Sequence, residues 1–258
     1  MNKNLPLPDA QAEQASLALQ NLIANEIQSH NGWISFNYYM HMALFTPKLG
    51  YYTGGSHKIG SAGDFVTAPS LTPLFGLTLA RQIEPVLRQS AGNVYEFGAG
   101  TGELAVSLLA GLQPDALQHY YIMDVSPELK QRQLALIREK TPQHADKVVF
   151  LDSLPDAFDG VIIGNEVLDA MASEVMRWTE NGIEQMGVSI VDDQFAWTQR
   201  PVSDERILAE ALRIQPDKQP YTSELHLNQT AFIATLAQKL VRGAIIMIDY
   251  GFDEAPYY

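Results

Sequence analysis

Val94-Tyr95-Glu96-Phe97-Gly98-Ala99-Gly100-Thr101-Gly102-Glu103-Leu104-Ala105 carries a short apolar run into a helical pattern through a turn with glycine at every second position. Such a turn takes positive φ easily and lets backbone N–H groups approach a ligand with no Cβ in the way, while the helix behind it presents its positive end. It reads as a loop for a nucleotide-type cofactor. The spacing narrows the choice, because a dinucleotide fingerprint needs glycine at the first, third and sixth places. Counted from Gly98 the sixth place is Glu103, whose carboxylate would face a pyrophosphate across the helix N-terminus, which disfavours NAD and FAD. Glu96, ahead of the first glycine, suits a ligand with positive charge near the loop, such as the sulfonium and amino groups of S-adenosylmethionine. Glu96, Gly98, Ala99, Gly100 and Gly102 are the candidate cofactor contacts.

Tyr120-Tyr121-Ile122-Met123-Asp124 reads as the next strand. Its terminal acid lies about one βαβ repeat beyond the loop, where a carboxylate can hold both ribose hydroxyls. The plainer alternative is a tight turn in which Asp124 caps the helix beginning near Ser126. Ordinary βα turns rarely require three alternating glycines, which weighs against it. Strand and helix patterns alternate over residues 93–97, 103–111, 120–124, 128–140, 148–151 and 161–164, implying a doubly wound, Rossmann-like parallel sheet with helices on both faces. Asp152 and Ser153 end the third strand at the edge where ligands bind; they suit either an adenine contact or an ordinary turn before Pro155.

Val161-Ile162-Ile163-Gly164-Asn165-Glu166-Val167-Leu168-Asp169-Ala170 delivers Asn165 and Glu166 to the same edge on a wholly apolar strand. Asn165 is expected beside the cofactor. Asp169 follows one helical turn after Glu166, so the two carboxylates are expected to share a helix face. Two acids there suit a cationic acceptor: a guanidinium stays protonated and can be gripped by parallel hydrogen bonds. Acids at the start of a helix are also favoured by its dipole, which is the other reading of this pair.

Ahead of the core, residues 11–30 show helical spacing that stops at Asn31-Gly32, and a second, aromatic-rich helix is expected after Ser35. Residues 46–69 read as a long irregular loop, and the part from Gly60 to Pro69 has the composition of a lid. Asp64 within it either adds a carboxylate to the acceptor pocket or satisfies its own backbone. A helical pattern resumes over 71–89. After Asn165 the alternation gives way to a hairpin around Asn181-Gly182 and a third short strand, a β insertion of about 172–228. The expected organisation is an N-terminal helical cap and lid over 1–91 and a core over 92–258.

The 258 residues carry a formal net charge of −13, which argues against nucleic acid as partner, since phosphate binding needs clustered Lys and Arg. A basic partner or a small ligand fits better. There is no cysteine, so no disulfide or thiol chemistry, and the six histidines show no ligand spacing, so no metal is expected. No apolar run is long enough for a membrane span, and the N-terminal residues lack a signal core or an Arg-rich leader, so a cytoplasmic protein is expected. Oligomeric state is not legible.

Gly63-Asp64-Phe65-Val66-Thr67-Ala68-Pro69, Glu96-Phe97-Gly98-Ala99-Gly100-Thr101-Gly102, Asn165-Glu166-Val167-Leu168-Asp169-Ala170 and Ile248-Asp249-Tyr250-Gly251-Phe252 together resemble the MidA-like family of S-adenosylmethionine-dependent methyltransferases, in order and in spacing. The resemblance implies a class I methyltransferase sheet and supports Glu96, Gly98 and Gly100 as cofactor loop, Asp124 as ribose acid and Asn165-Glu166 as cleft residues. Mitochondrial members are implicated in respiratory complex I assembly as protein arginine methyltransferases, so it also implies arginine as acceptor and a respiratory-complex subunit as a candidate protein substrate. Ser70 stands where the family carries glutamate. The family continues beyond the Asp-Tyr-Gly-Phe motif, so this chain is expected to be a fragment without the final strands, with an apolar sheet edge left open. The expectation is a methyltransferase; the rival is an assembly or binding module that keeps the fold and catalyses nothing.

Overall fold

The computed structural model describes residues 10–54, 67–214 and 216–251. They fall into two compact units, one holding residues 10–54, 171–214, 216–229 and 251, the other residues 67–170 and 230–250.

In the first unit α1 (Ala10–Ser29) buries Ile23 and Ile27. It stops where Asn31 and Gly32 turn to positive φ, 57° and 77°, the left-handed step that ends helices. Ser35, at the end of the two-residue β1 (Ile34–Ser35), caps α2 (Phe36–Phe45) by accepting the Tyr38 N–H.

The second unit begins with α3 (Ala68–Leu71) and α4 (Leu74–Leu87). The sequence pattern runs one helix over 71–89, but Thr72 is extended, with φ −159° and ψ 139°. Pro73 is the cause, because its ring disfavours helical backbone in the residue before it. Then come β2 (Asn93–Phe97), α5 (Glu103–Gly111), β3 (His119–Met123), α6 (Pro127–Lys140), β4 (Val148–Leu151) and β5 (Phe158–Asn165).

The chain next adds to the first unit β6 (Glu174–Thr179), β7 (Gly182–Val191), β8 (Gln194–Pro201), α7 (Glu205–Ala211) and β9 (Tyr221–Leu225). The expected hairpin closes at Asn181-Gly182, with Thr179 opposite Gly182. β8 pairs along one edge of β7, β6 and β1 share its other edge, and β9 pairs with β6, all antiparallel. Neither β1 nor β9 shows in the sequence: the two residues of β1 carry no periodicity, and each strand is extended because a ready edge offers it hydrogen bonds.

The second unit closes with α8 (Leu227–Lys239), from residue 230 onward, and β10 (Leu240–Ile248). Its sheet is wholly parallel, in the order β10-β5-β2-β3-β4. The chain builds outward from β2 to β4 and then returns to β2's other side, so the order reverses between β2 and β5. Alternate residues of the strands bury opposite faces. Val94, Tyr120, Ile122, Val161 and Ile163 pack with Ile83 of α4, Leu104 and Leu108 of α5 and Ile137 of α6. Tyr95, Phe97, Phe158 and Ile162 pack with Leu236 of α8 on the other side. Cover on both faces is why these strands read as continuous apolar runs.

β5 leaves no room for a side chain beside β2 at Gly160, where φ is 145° and a Cβ would collide with the Asn93 carbonyl. Gly160→Ala is therefore expected to lose about 2–4 kcal/mol of unfolding free energy through strain and displaced strands. Urea denaturation followed by circular dichroism measures this, and an unchanged midpoint would contradict the register.

Candidate functional site

β2 ends at Phe97, and the Gly98 N–H still reaches the Met123 carbonyl at 2.9 Å, extending the ladder to the tip of β3. The chain then turns through Gly98, Gly100 and Gly102 at φ 61°, 56° and 98°. All three glycines of the alternate spacing occupy the left-handed region that side chains avoid. Gly102 is the N-cap of α5 and offers no side chain to it, so the helix end faces outward through backbone N–H groups. Ala99 is buried between them. A Cβ on Gly98 would sit 3.2 Å from Cγ2 of Val167, which puts the turn after β2 directly against the segment after β5.

Glu96 points into the helix-covered face of the sheet, 1% exposed, and accepts the Tyr120 hydroxyl proton at 2.7 Å. Burial pushes its carboxyl up to about 7; the Tyr120 bond pulls the other way and the charge of Asp124 adds to the rise. Tyr120 itself is pushed well above its usual range, by burial first and by Glu96 second.

Asp124 follows β3 directly. Its Oδ1 accepts the Ser126 N–H at 3.0 Å and its Oδ2 accepts Nε2 of Gln133 at 2.8 Å. The cap of α6 is the Ser126 hydroxyl, which accepts the Leu129 N–H. Burial raises the Asp124 carboxyl, opposed by the bonds from Ser126 and Gln133 and by Lys130. Asp152 and Ser153 lie exposed after β4, with Asp152 ion-paired to Lys130 at 2.5 Å. Asp64 and most of the lid segment lie outside the described residues.

At the end of β5, Asn165 donates from Nδ2 to Oε1 of Glu166 at 3.4 Å. No helix follows, so Glu166 and Asp169 do not share a helix face as the spacing suggested. Two contacts from the end of β10 hold the segment. The Glu166 N–H bonds the Ile248 carbonyl at 2.8 Å, holding Glu166 at φ 51°. Oδ2 of Asp249 accepts the N–H groups of Leu168 and Asp169, each at 3.1 Å, so the backbone donors at this point are taken by a neighbouring strand end. Burial raises the Glu166 carboxyl, with Asn165 opposing and Asp169 and Asp249 reinforcing; burial and then Asp249 raise Asp169. These acids repel one another, and no grouping of three His, Asp or Glu among the described residues could hold a metal ion.

Two residues escape a sequence reading. Asp249 ends an apolar strand, as Asp124 does, and that parallel was the signal. Gln133 sits one turn before Ile137 on the buried face of α6 and is 0% exposed, a polar side chain where the pattern asks for an apolar one.

A family model for S-adenosyl-L-methionine-dependent methyltransferases matches residues 78–258. A crystal structure from Burkholderia thailandensis bound to S-adenosyl-homocysteine is 42% identical with a TM-score of 0.92, over 99% of this chain and 68% of that one. The mitochondrial protein arginine methyltransferase NDUFAF7 of Danio rerio is 28% identical over 255 residues, 86% of this chain and 59% of that protein. Its Mus musculus counterpart is 25% identical, over 95% of this chain and 62% of that protein. The chain thus spans about three fifths of the length of these curated relatives. Their mitochondrial names overturn the cytoplasmic expectation: lack of an Arg-rich leader in a few residues does not report a compartment. No described helix is long and apolar enough to cross a membrane.

Because the Glu96 carboxyl sits at about 7 in the fold against an ordinary value of 4.5, the native state binds the extra proton and loses stability as pH rises through that window. The stability of Glu96→Gln relative to the parent is therefore expected to grow by roughly 3 kcal/mol between pH 4.5 and pH 8. Urea unfolding across that range reads it, and a pH-independent difference would contradict the buried carboxyl.

Proposed function

The chain belongs to the S-adenosyl-L-methionine-dependent methyltransferase family, and on that premise we propose that it transfers a methyl group to a protein arginine nitrogen. One observation carries the reading: the glycine turn after β2 and the acidic segment after β5 meet at the reversal point of the parallel sheet, where open α/β sheets bind their ligands.

The residues present fit an adenosyl cofactor. Three alternating left-handed glycines let the turn present its backbone without a side chain, and the α5 N-terminus behind them is the positive end of a helix dipole. Glu96, Gly98, Ala99, Gly100, Gly102 and Asn165 would hold the methionyl side and Asp124 the ribose, with Asp152 and Ser153 at the adenine end. Bound S-adenosylmethionine supplies an electrophilic methyl group. Everything else falls to the chain's own side chains.

Glu166 would accept an N–H of the guanidinium and fix which nitrogen faces the methyl group. A carboxyl raised by burial and by its acidic neighbours is a better proton acceptor near neutral pH than an ordinary one. Asp169 and Asp249 would make the pocket favourable for a cation and unfavourable for an anion. Asp64 is a further candidate for the same pocket. The remaining advantage is positional, since aligned groups supply several of the roughly 7–11 kcal/mol open to well-oriented reactions. The arginine acceptor is supported by relatives named as protein arginine methyltransferases, 23–28% identical, and by the three acids. The MidA-like resemblance adds a respiratory-complex subunit as the substrate to try first.

Calorimetry with S-adenosylhomocysteine and mass spectrometry of arginine-containing proteins incubated with the chain and S-adenosylmethionine test this. Glu166→Gln is expected to bind S-adenosylhomocysteine within about 3-fold of the parent and to lose methyl transfer by roughly 100-fold or more. Cofactor binding without any arginine methylation by the parent would favour the silent module, and a melting temperature raised by NADH alone would sink the cofactor assignment.

A further inference from the structure

We propose that Gln133 is a positioning residue that ties the glycine turn after β2 to the acid after β3, holding both sides of the adenosyl site at one spacing. This rests on the cofactor reading above. Its side-chain amide has two protons, and both are used: one on the Gly100 carbonyl and one on Oδ2 of Asp124, each at 2.8 Å. The orientation of the amide is dictated by these partners, because the flipped form would press its oxygen against two acceptors.

The bridge has no slack. A Cβ on Gly102 would come within 3.3 Å of the Gln133 Cα and within 3.6 Å of its Cβ. α6 therefore lies directly against the glycine turn at this residue, and a shift of Gln133 toward the turn meets backbone. The last glycine thus does two things: it takes φ 98°, and it admits the helix that carries the bridging amide. Neither Gly100 nor Asp124 belongs to a regular element. Backbone pairing brings the two loops close through Gly98 and Met123, but it leaves the Gly100 carbonyl and the Asp124 carboxylate without a mutual reference, and Gln133 provides it.

The site also gives up stability. Oε1 of Gln133 is buried with no hydrogen-bond partner among the described residues, and Gln133 is 0% exposed, one turn before the buried Ile137. A buried acceptor without a donor is unfavourable, and an apolar side chain would remove it only by taking the donor from the Gly100 carbonyl and the Asp124 carboxylate. A polar side chain that breaks the apolar pattern of a buried helix face is expected to serve a site. A side chain acting through packing alone would make the opposite demand.

Titration calorimetry of S-adenosylhomocysteine into the whole chain, Gln133→Met, Asp124→Ala and the double variant tests this. Gln133→Met is expected to bind roughly 10- to 100-fold more weakly, with a melting temperature no more than a few degrees from the parent. In the Asp124→Ala background the same change is expected to cost less than about 3-fold, because the coupled partner is gone. Parent-like affinity in Gln133→Met, or an equally large loss in both backgrounds, would overturn the bridge while leaving the cofactor reading standing. Undiminished affinity in Asp124→Ala would instead strike at the cofactor reading itself. If Gln133→Met does not fold, Gln133→Glu keeps the length while setting a carboxylate against Asp124, and the same losses are expected of it.

Discussion

The reversal of strand order between β2 and β5 is the constraint on which the second unit depends. A parallel sheet needs a crossover for every strand, and each crossover covers the end of the strand it leaves. Only where the direction of winding changes do two neighbouring strand ends stay uncovered. Here those ends carry Gly98 on one side and Glu166 on the other, close enough that a single methyl-sized addition at Gly98 would touch Val167. The sheet has to be hydrophobic on both faces to sit between α4, α5, α6 and α8, and this leaves polar side chains few places to go except the strand ends.

Carboxyl groups gather at those ends and at the neighbouring end of β3. Glu96, Asp124, Glu166 and Asp169 all have carboxyls raised above their ordinary range, with burial the largest cause for each. Raised acids with few cations beside them among the described residues suit the proposed site for positive charge from outside. Lys130 is the exception nearby, and it is engaged by the exposed Asp152. A sulfonium on one side of the crevice and a guanidinium on the other would both relieve this repulsion. The same acids would make poor company for a pyrophosphate.

Much of this was legible in the chain. The alternate glycines forecast three left-handed residues, the apolar runs forecast β2, β3 and β5 within a residue or two at most ends, and the Asn-Gly pairs forecast a helix stop and a hairpin. What escaped was non-local. The segment after Glu166 reads as helical by spacing, yet Glu166 sits at φ 51° and the segment is bonded to the end of β10. Nothing local to residues 166–170 announces a partner some eighty positions away. Gln133 was hidden for the converse reason: one polar residue on a helix of mostly polar character is unremarked until the buried face is known. Thr72 was foreseeable, since the Pro73 rule is local and simply outweighed by the apolar spacing around it.

The central claim is that the crevice between the turn after β2 and the segment after β5 is where an adenosyl ligand binds. A crystal structure of the chain with S-adenosylhomocysteine addresses it directly. Density for the ligand along Gly98–Gly102, with the ribose hydroxyls on Asp124 and the sulfur turned toward the Glu166 side, is the expected result. A ligand bound elsewhere, or an empty crevice at saturating ligand, would contradict it.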